Sequence, residues 1–183
     1  GFDVLAEKMV SLELPNGRTP SPPLILHDQL GYGRCTLNLA VPEDWSVQTM
    51  AELAVMGTQL AQDGRTLRIA TKFPHHTGQF LHQHGIVPYK LVNVEGTLEI
   101  APAIGFADMI ADLVSSGVTL RDNHLRPLAD GQILASQAVL IAHKPALQQR
   151  VDVLAVARHM LEFIEAHLRA EESYLVTANV RGE

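Results

Sequence analysis

Two aspartates, Asp108 and Asp112, stand in the mostly apolar run GFADMIADLVSSGVTL (Gly105 to Leu120), just ahead of a Ser-Ser-Gly-Val-Thr turn. An apolar run signals burial, and a buried carboxylate is costly unless something pairs with it. Positions i and i+4 share a face in a helix and in a strand, so the two carboxylates point the same way in either element. Carboxylates accept hydrogen bonds from vicinal hydroxyls such as those of a ribose. Ser115, Ser116 and Thr119 add hydroxyls, and Gly117 permits φ > 0, so consecutive N–H groups can form an anion nest. A helix starting after Thr119 would add a field that favours phosphate. These features point to a polyhydroxylated, phosphorylated ligand. The competing reading is two solvated strand-face aspartates beside an ordinary turn, and the spacing alone leaves both open.

Other chemistry-bearing residues carry less. His75, His76, His82 and His84 crowd the stretch FPHHTGQFLHQHG. His82 and His84 are two apart and diverge on a helix, and no Cys or acidic residue joins them. Metal-ligand spacings are absent, so they read as solvated histidines, and no metal site of the chain's own is expected. Cys35 sits in an apolar strand and reads as packing. Trp45 reads as a packing anchor rather than a platform for a base.

Alternating strands and helices must position these groups. FDVLAEKMV reads as a helix, and SLELPNGRTPSPP as a loop. RCTLNLAVPE is a strand, and SVQTMAELAVMGTQL a helix capped by Ser46 or Asp44. TLRIATKF is a strand. TGQFLHQHG follows as a helix with Thr77 able to cap it and Gly85 to end it. VPYKLVNVEG is a strand, LEIAPAIG begins a helical segment, and ADMIADLV is a strand running into the Gly117 turn. GQILASQAVLIAHKP holds one more strand, the run from Ala146 to Glu171 is the longest helix, and YLVTANV closes as a strand. The alternation argues for an α/β sandwich.

The bulk numbers narrow the function classes. The chain has 183 residues, is 46% hydrophobic and 19% charged, and carries a net charge of -6. The acidic balance gives no basic footprint for nucleic acid. A single cysteine excludes an internal disulfide framework and fits a reducing, cytoplasmic setting. No apolar run approaches the ~20 residues of a membrane helix, and the opening GFDVLAEKMV has no basic signal-peptide start. The chain lacks an initiator Met and begins as though inside a folded element, so a missing natural start is expected.

The run LRIATKFP…GTLEIAPAIGFADMIADLVSSGVTL resembles ATP phosphoribosyltransferase, the first enzyme of histidine biosynthesis. Ala107 to Leu120 is similar to that family's phosphoribosyl-pyrophosphate signature. LGYGRCTLNLAVPE and SQAVLIAHKPAL resemble its flanking segments, and LRAEESYLVTANVRGE resembles the long form, in which a regulatory domain follows. The resemblance implies a two-lobed α/β fold like the type II periplasmic binding proteins, with two strands crossing between lobes. Residues 1–34 would be part of lobe I, whose N-terminal portion the chain lacks. Residues 35–140 would form lobe II, and 141–183 the return into lobe I.

The resemblance also implies the site. Asp108 and Asp112 would meet the ribose of phosphoribosyl pyrophosphate, and Ser115, Ser116, Gly117, Val118 and Thr119 would hold its 5′-phosphate. Glu99 matches an acidic position near that pocket, and Thr71, Lys72 and Phe73 match cleft positions. For Lys72 and Phe73 the alternatives are a surface lysine and a core aromatic. The implied reaction joins N1 of ATP to C1 of the ribose with loss of pyrophosphate, without a side-chain nucleophile. Mg²⁺ would arrive with the substrate. ATP and phosphoribosyl pyrophosphate are the expected ligands, a homo-oligomer the expected full-length state, and histidine feedback would act through the absent regulatory domain. The rival function is a non-catalytic, small-anion-binding module of the same fold.

Overall fold

The computed structural model describes residues 1–10, 22–94 and 96–171. Helix α1 spans Phe2–Val10, and strands β1 and β2 span Leu24–His27 and Cys35–Pro42. Helix α2 (Met50–Gln62), β3 (Leu67–Thr71), α3 (Pro74–Gln83) and β4 (Tyr89–Asn93) follow. After a 3₁₀ turn at Leu98–Ile100 come β5 (Met109–Val114), α4 (Val118–Asp122) and β6 (Leu125–Ser136). Strand β7 (Leu140–Ala142) and helices α5 (Lys144–Gln149) and α6 (Val151–Glu171) complete the order.

The larger of two compact units contains residues 1–10 with Gly33–Gln137. Its five-stranded sheet has the order β4-β3-β5-β2-β6. Strand β3 is parallel to β4 and β5, whereas β2 is antiparallel to both β5 and β6. Both faces are covered, which is why the strands read as near-continuous apolar runs. On one face Leu39, Val41, Ile69, Met109 and Ala111 pack with Met50, Leu53 and Leu81 from α2 and α3. On the other, Ala40, Ala70 and Ile110 pack with Leu98, Leu120 and Leu125. Burying a Leu of this kind contributes roughly 1.5–3 kcal/mol. Gly131 of β6 is required by contact: a Cβ there would lie 2.8 Å from the Leu128 Cβ and 3.3 Å from the Leu39 Cβ.

Helix α1 differs from the sequence expectation, which put residues 1–34 in the first lobe. It belongs to the larger unit because its buried carboxylates find their donors there. Asp3, 3% exposed, accepts a 2.6 Å bond from the Ser136 hydroxyl. Glu7, 5% exposed, accepts from the backbone N–H groups of His75 and His76 at 2.8 and 3.2 Å.

The smaller unit contains residues 22–32 and 138–171. Its sheet is β1 antiparallel to β7, with Leu24 opposite Ala142 and Ile25 opposite Ile141. The helix expected from Ala146 to Glu171 is two helices. Arg150 breaks it with an extended backbone (φ -123°, ψ 106°), and its guanidinium binds Asp152 at 2.6 Å. The expected strand YLVTANV lies outside the described residues. The chain passes between the units just before β2 and just after β6.

Two caps also differ. Thr49, not Ser46 or Asp44, caps α2, and Glu52 completes a capping box. Helix α3 begins at Pro74 after Phe73, so Thr77 is not its cap. Thr77 is buried, with its hydroxyl 3.4 Å from that of Thr71.

Candidate ligand site at the Gly117 turn

Strand β5 ends at Val114 and the chain turns through Ser115, Ser116 and Gly117. Gly117 adopts φ 69°, ψ 7°, the left-handed region where a Cβ is penalised. It stands immediately before α4, so the Val118 N–H emerges inside the turn, 3.5 Å from the Ser116 hydroxyl. The α4 start at Val118 is two residues earlier than the sequence suggested. A small cavity of about 60 Å³ is lined by Glu99, Asp112, Ser115, Ser116, Gly117 and Thr119, among others.

Asp112 is the cavity's central carboxylate. Its Oδ1 accepts a 2.8 Å bond from the Leu113 N–H. Burial pushes its carboxyl above the usual carboxylate range; the Leu113 N–H opposes this, the Glu99 charge adds to it, and Lys72 counteracts it. Glu99 and Lys72 therefore stand within electrostatic reach of Asp112 from the 3₁₀ turn and from the loop after β3. The site brings together two carboxylates, a nearby ammonium, three hydroxyls and the backbone of the left-handed Gly117 turn. Such a set has the chemistry to accept from sugar hydroxyls and to donate to an anion.

Asp108 is not brought to this pocket. Asp112 lies within the strand, whereas Asp108 stands in the bend just before β5. There Arg68 saturates it: Nη2 donates to Oδ1 at 2.7 Å, Nε to Oδ2 at 3.2 Å, and the Arg68 backbone N–H to Oδ2 at 2.7 Å. Burial acts to raise the Asp108 carboxyl, but the Arg68 hydrogen bonds and charge, with help from Arg65, hold it below its ordinary value. Asp108 instead borders a wider cavity of about 710 Å³ with Trp45, Arg65 and His124.

Thr71 and Phe73 are turned into the fold. Thr71 is fully buried and its hydroxyl accepts from the Phe73 N–H at 3.0 Å, while the Phe73 ring is core. Of the three expected cleft residues, only Lys72 is exposed. The histidines are separately engaged: the backbones of His75 and His76 hold Glu7, and the His84 Nδ1 lies 2.9 Å from the Phe80 carbonyl oxygen. Among the described residues, no group of three or more His, Cys, Asp or Glu side chains could hold a metal ion.

Sequence reasoning missed Asn38. It is the polar residue in the middle of the apolar strand TLNLAV, and that interruption was the available signal. Register places it directly opposite Asp112, so both side chains rise from the same face of the sheet.

A mixed α/β sheet, left and re-entered by the chain to build a second unit, defines a two-lobed protein of the type II periplasmic-binding kind. Known structures share this fold: the ATP phosphoribosyl transferase (HisG:HisZ) complex from Thermotoga maritima superposes with a TM-score of 0.62 at 24% identity, covering 90% of this chain and 67% of that one. A mutant of the arginine-binding protein ArgBP from T. maritima superposes with a TM-score of 0.51 at 12% identity, covering 81% and 58%. Residues 1–166 match the family model of ATP phosphoribosyltransferase, and the chain belongs to that family. ATP phosphoribosyltransferase 1, chloroplastic, of Arabidopsis thaliana is 38% identical across 100% of this chain and 43% of its own length. The ATP phosphoribosyltransferase of Mesorhizobium japonicum is 49% identical over 64% of this chain and 52% of its own. The chain thus spans about half the length of the curated relatives it matches.

Proposed function

We propose that this chain forms part of an ATP phosphoribosyltransferase of histidine biosynthesis, and that its larger unit holds the phosphoribosyl pyrophosphate. The observation that carries this reading is the joining of Asp112 and Glu99 to the left-handed Gly117 turn, in a chain of that family. Asp112 accepts from the ribose hydroxyls, and the N–H groups and hydroxyls from Ser115 to Thr119 receive the 5′-phosphate. N1 of ATP attacks C1 of the ribose while the C1–O bond to pyrophosphate breaks, its electron pair leaving with the pyrophosphate oxygen. The reacting carbon gains positive charge as that bond opens. The Asp112 and Glu99 carboxylates favour that charge through fixed, partly desolvated placement.

Two carboxylates in one pocket fit Mg²⁺, which takes one or two carboxylates together with substrate phosphates. Glu99 and Asp112 are the residues that would hold it, and when bound it neutralises the leaving pyrophosphate. Burial raises the Asp112 carboxyl, and a bound cation would favour its charged form. Lys72, whose charge acts on Asp112, is the ammonium we propose meets the pyrophosphate. In the whole enzyme, a cytoplasmic homo-oligomer with a histidine-sensing domain is the arrangement we propose.

Isothermal titration of phosphoribosyl pyrophosphate with Mg²⁺ into this chain tests the reading. Binding that is lost in Asp112→Asn and kept in Asp108→Asn supports it. Equal binding by the parent chain and Asp112→Asn would remove Asp112 from the site.

A further inference from the structure

Asn38 is 9% exposed and sits on the sheet face that carries Asp112. Strand β2 pairs with β5 so that Thr36 faces Val114, Asn38 faces Asp112 and Ala40 faces Ile110. Directly opposed residues on antiparallel strands have Cβ atoms about 4.5–5.5 Å apart. Asn38 and Asp112 are therefore nearest neighbours across the ladder.

The orientation of the Asn38 amide is fixed by its partners. Its Nδ2 donates to the Thr36 carbonyl oxygen at 3.2 Å and to the Thr36 hydroxyl at 2.6 Å. A backbone carbonyl only accepts, so the atom facing it must be the nitrogen. The Thr36 hydroxyl in turn spends its proton on the Val114 carbonyl at 3.4 Å, and so it too must accept from Asn38. The clamp leaves Oδ1 as the amide's remaining hydrogen-bonding atom. Among the described residues it has no partner, and it is not among the sealed, unsatisfied atoms of the interior. A nearly buried Asn with a committed donor and an uncommitted acceptor, beside a carboxylate that is also acceptor-only, makes a paired acceptor edge. Such an edge matches two adjacent hydroxyl donors. It does not match a phosphate, which would meet acceptors with acceptors.

We infer that Asn38 is a specificity residue: its Oδ1 accepts from one of the two vicinal ribose hydroxyls while Asp112 accepts from the other, so the pocket demands a ribose rather than a deoxyribose. The inference rests on the phosphoribosyl reading above and adds to it a residue from a different strand. Thr36 acts through Asn38 by aiming its amide, and makes no contact of its own with the sugar.

The test compares ribose 5-phosphate with 2-deoxyribose 5-phosphate and 3-deoxyribose 5-phosphate, titrated into the full chain and into Asn38→Leu, a variant of similar volume. The parent chain prefers ribose 5-phosphate over both deoxy sugars by about tenfold, the scale of one hydrogen bond. In Asn38→Leu the preference over one of the two collapses to near unity while the other persists, and affinity for the deoxy sugar that no longer differs stays within about twofold of the parent's. A purely structural role for Asn38 would weaken all three sugars alike and leave both ratios standing, which overturns the assignment. If Asn38→Leu does not fold, the smaller Asn38→Ser is put to the same comparison of ratios. Failure of the parent chain to bind any of the three sugars overturns the phosphoribosyl reading itself, and this inference with it.

Discussion

Replacing Asp108 by Asn should cost stability and leave sugar-phosphate binding untouched, although Asp108 belongs to the same sequence signature as Asp112. The substitution sets an amide NH₂ against the Arg68 guanidinium, donor against donor. It removes the charge from bonds that are 2.7 and 3.2 Å long. The retained carbonyl oxygen can still accept from the Arg68 backbone N–H, and the Arg68 Nη1 bond to the Gly105 carbonyl survives. A hydrogen bond to a charged group contributes ~1.5–3 kcal/mol. The Arg68 side chain is 39% exposed and that of Asp108 18%, so solvent screening moves the value toward the surface range. We expect a loss of about 1–2 kcal/mol, which for a chain of this size lowers Tm by roughly 2–8 °C.

The pH dependence fixes the cause. The folded Asp108 carboxyl lies below its ordinary value. Its contribution is therefore fully present above the unfolded pKa, about 3.9, and is lost as pH falls through the folded value. Urea denaturation of parent and variant from pH 7 down to pH 3 should show the full gap at neutrality and a narrowing gap in acid. A gap that stays constant with pH, or no gap at pH 7, would refute the ion-pair account. Loss of ribose 5-phosphate binding with stability intact would return Asp108 to the ligand site.

Asp112→Asn has the opposite signature. The folded carboxyl is raised by burial, so its ionisation opposes folding increasingly as pH rises from the unfolded value through the folded one; thermal melts should show the variant gaining on the parent at pH 7 and converging with it in acid, while sugar-phosphate affinity falls about tenfold or more. Gly117→Val forces a β-branched residue into φ 69° at a cost of ~1–2 kcal/mol and closes the turn to an anion; titration with inorganic phosphate should show a much larger loss than for Val118→Ala. Thr49→Ala removes the α2 capping box and should cost ~1 kcal/mol by chemical denaturation, with ribose 5-phosphate affinity unchanged.

The short segment MIADLV was legible as a strand because it is short and apolar and a turn follows at once; it is β5. The Gly117 turn was legible for a similarly local reason, since Ser-Ser-Gly-Val-Thr has only one residue tolerant of φ > 0. The sequence reading also put Asp108 and Asp112 on one face of a single strand, but Asp108 stands in the bend before β5. The sequence did not determine that they have different partners. Arg68 reaches Asp108 because β3 lies beside β5, with Ile69 opposite Met109, a pairing between segments some forty positions apart with no trace in local periodicity.

The same limit hid Asn38. A lone polar residue in an apolar strand is visible in the sequence, but its significance comes from standing opposite Asp112 in an antiparallel pair, and register is set by the whole sheet. Strand β1 and the first half of β6 were missed because LILH is short and LRPLAD carries a Pro and a charge; pairing with β7 and β2 makes them strands. Helix caps went astray where several candidates stood together: Ser46 and Thr49 are equivalent in type, and only the approach of Glu52 to the Thr49 backbone selects between them. Residue type and spacing determined which groups this protein carries. Tertiary structure alone decided which carboxylate is neutralised by an arginine and which is left half-buried and raised in pKa, because burial and partnership depend on neighbours that are distant in the chain.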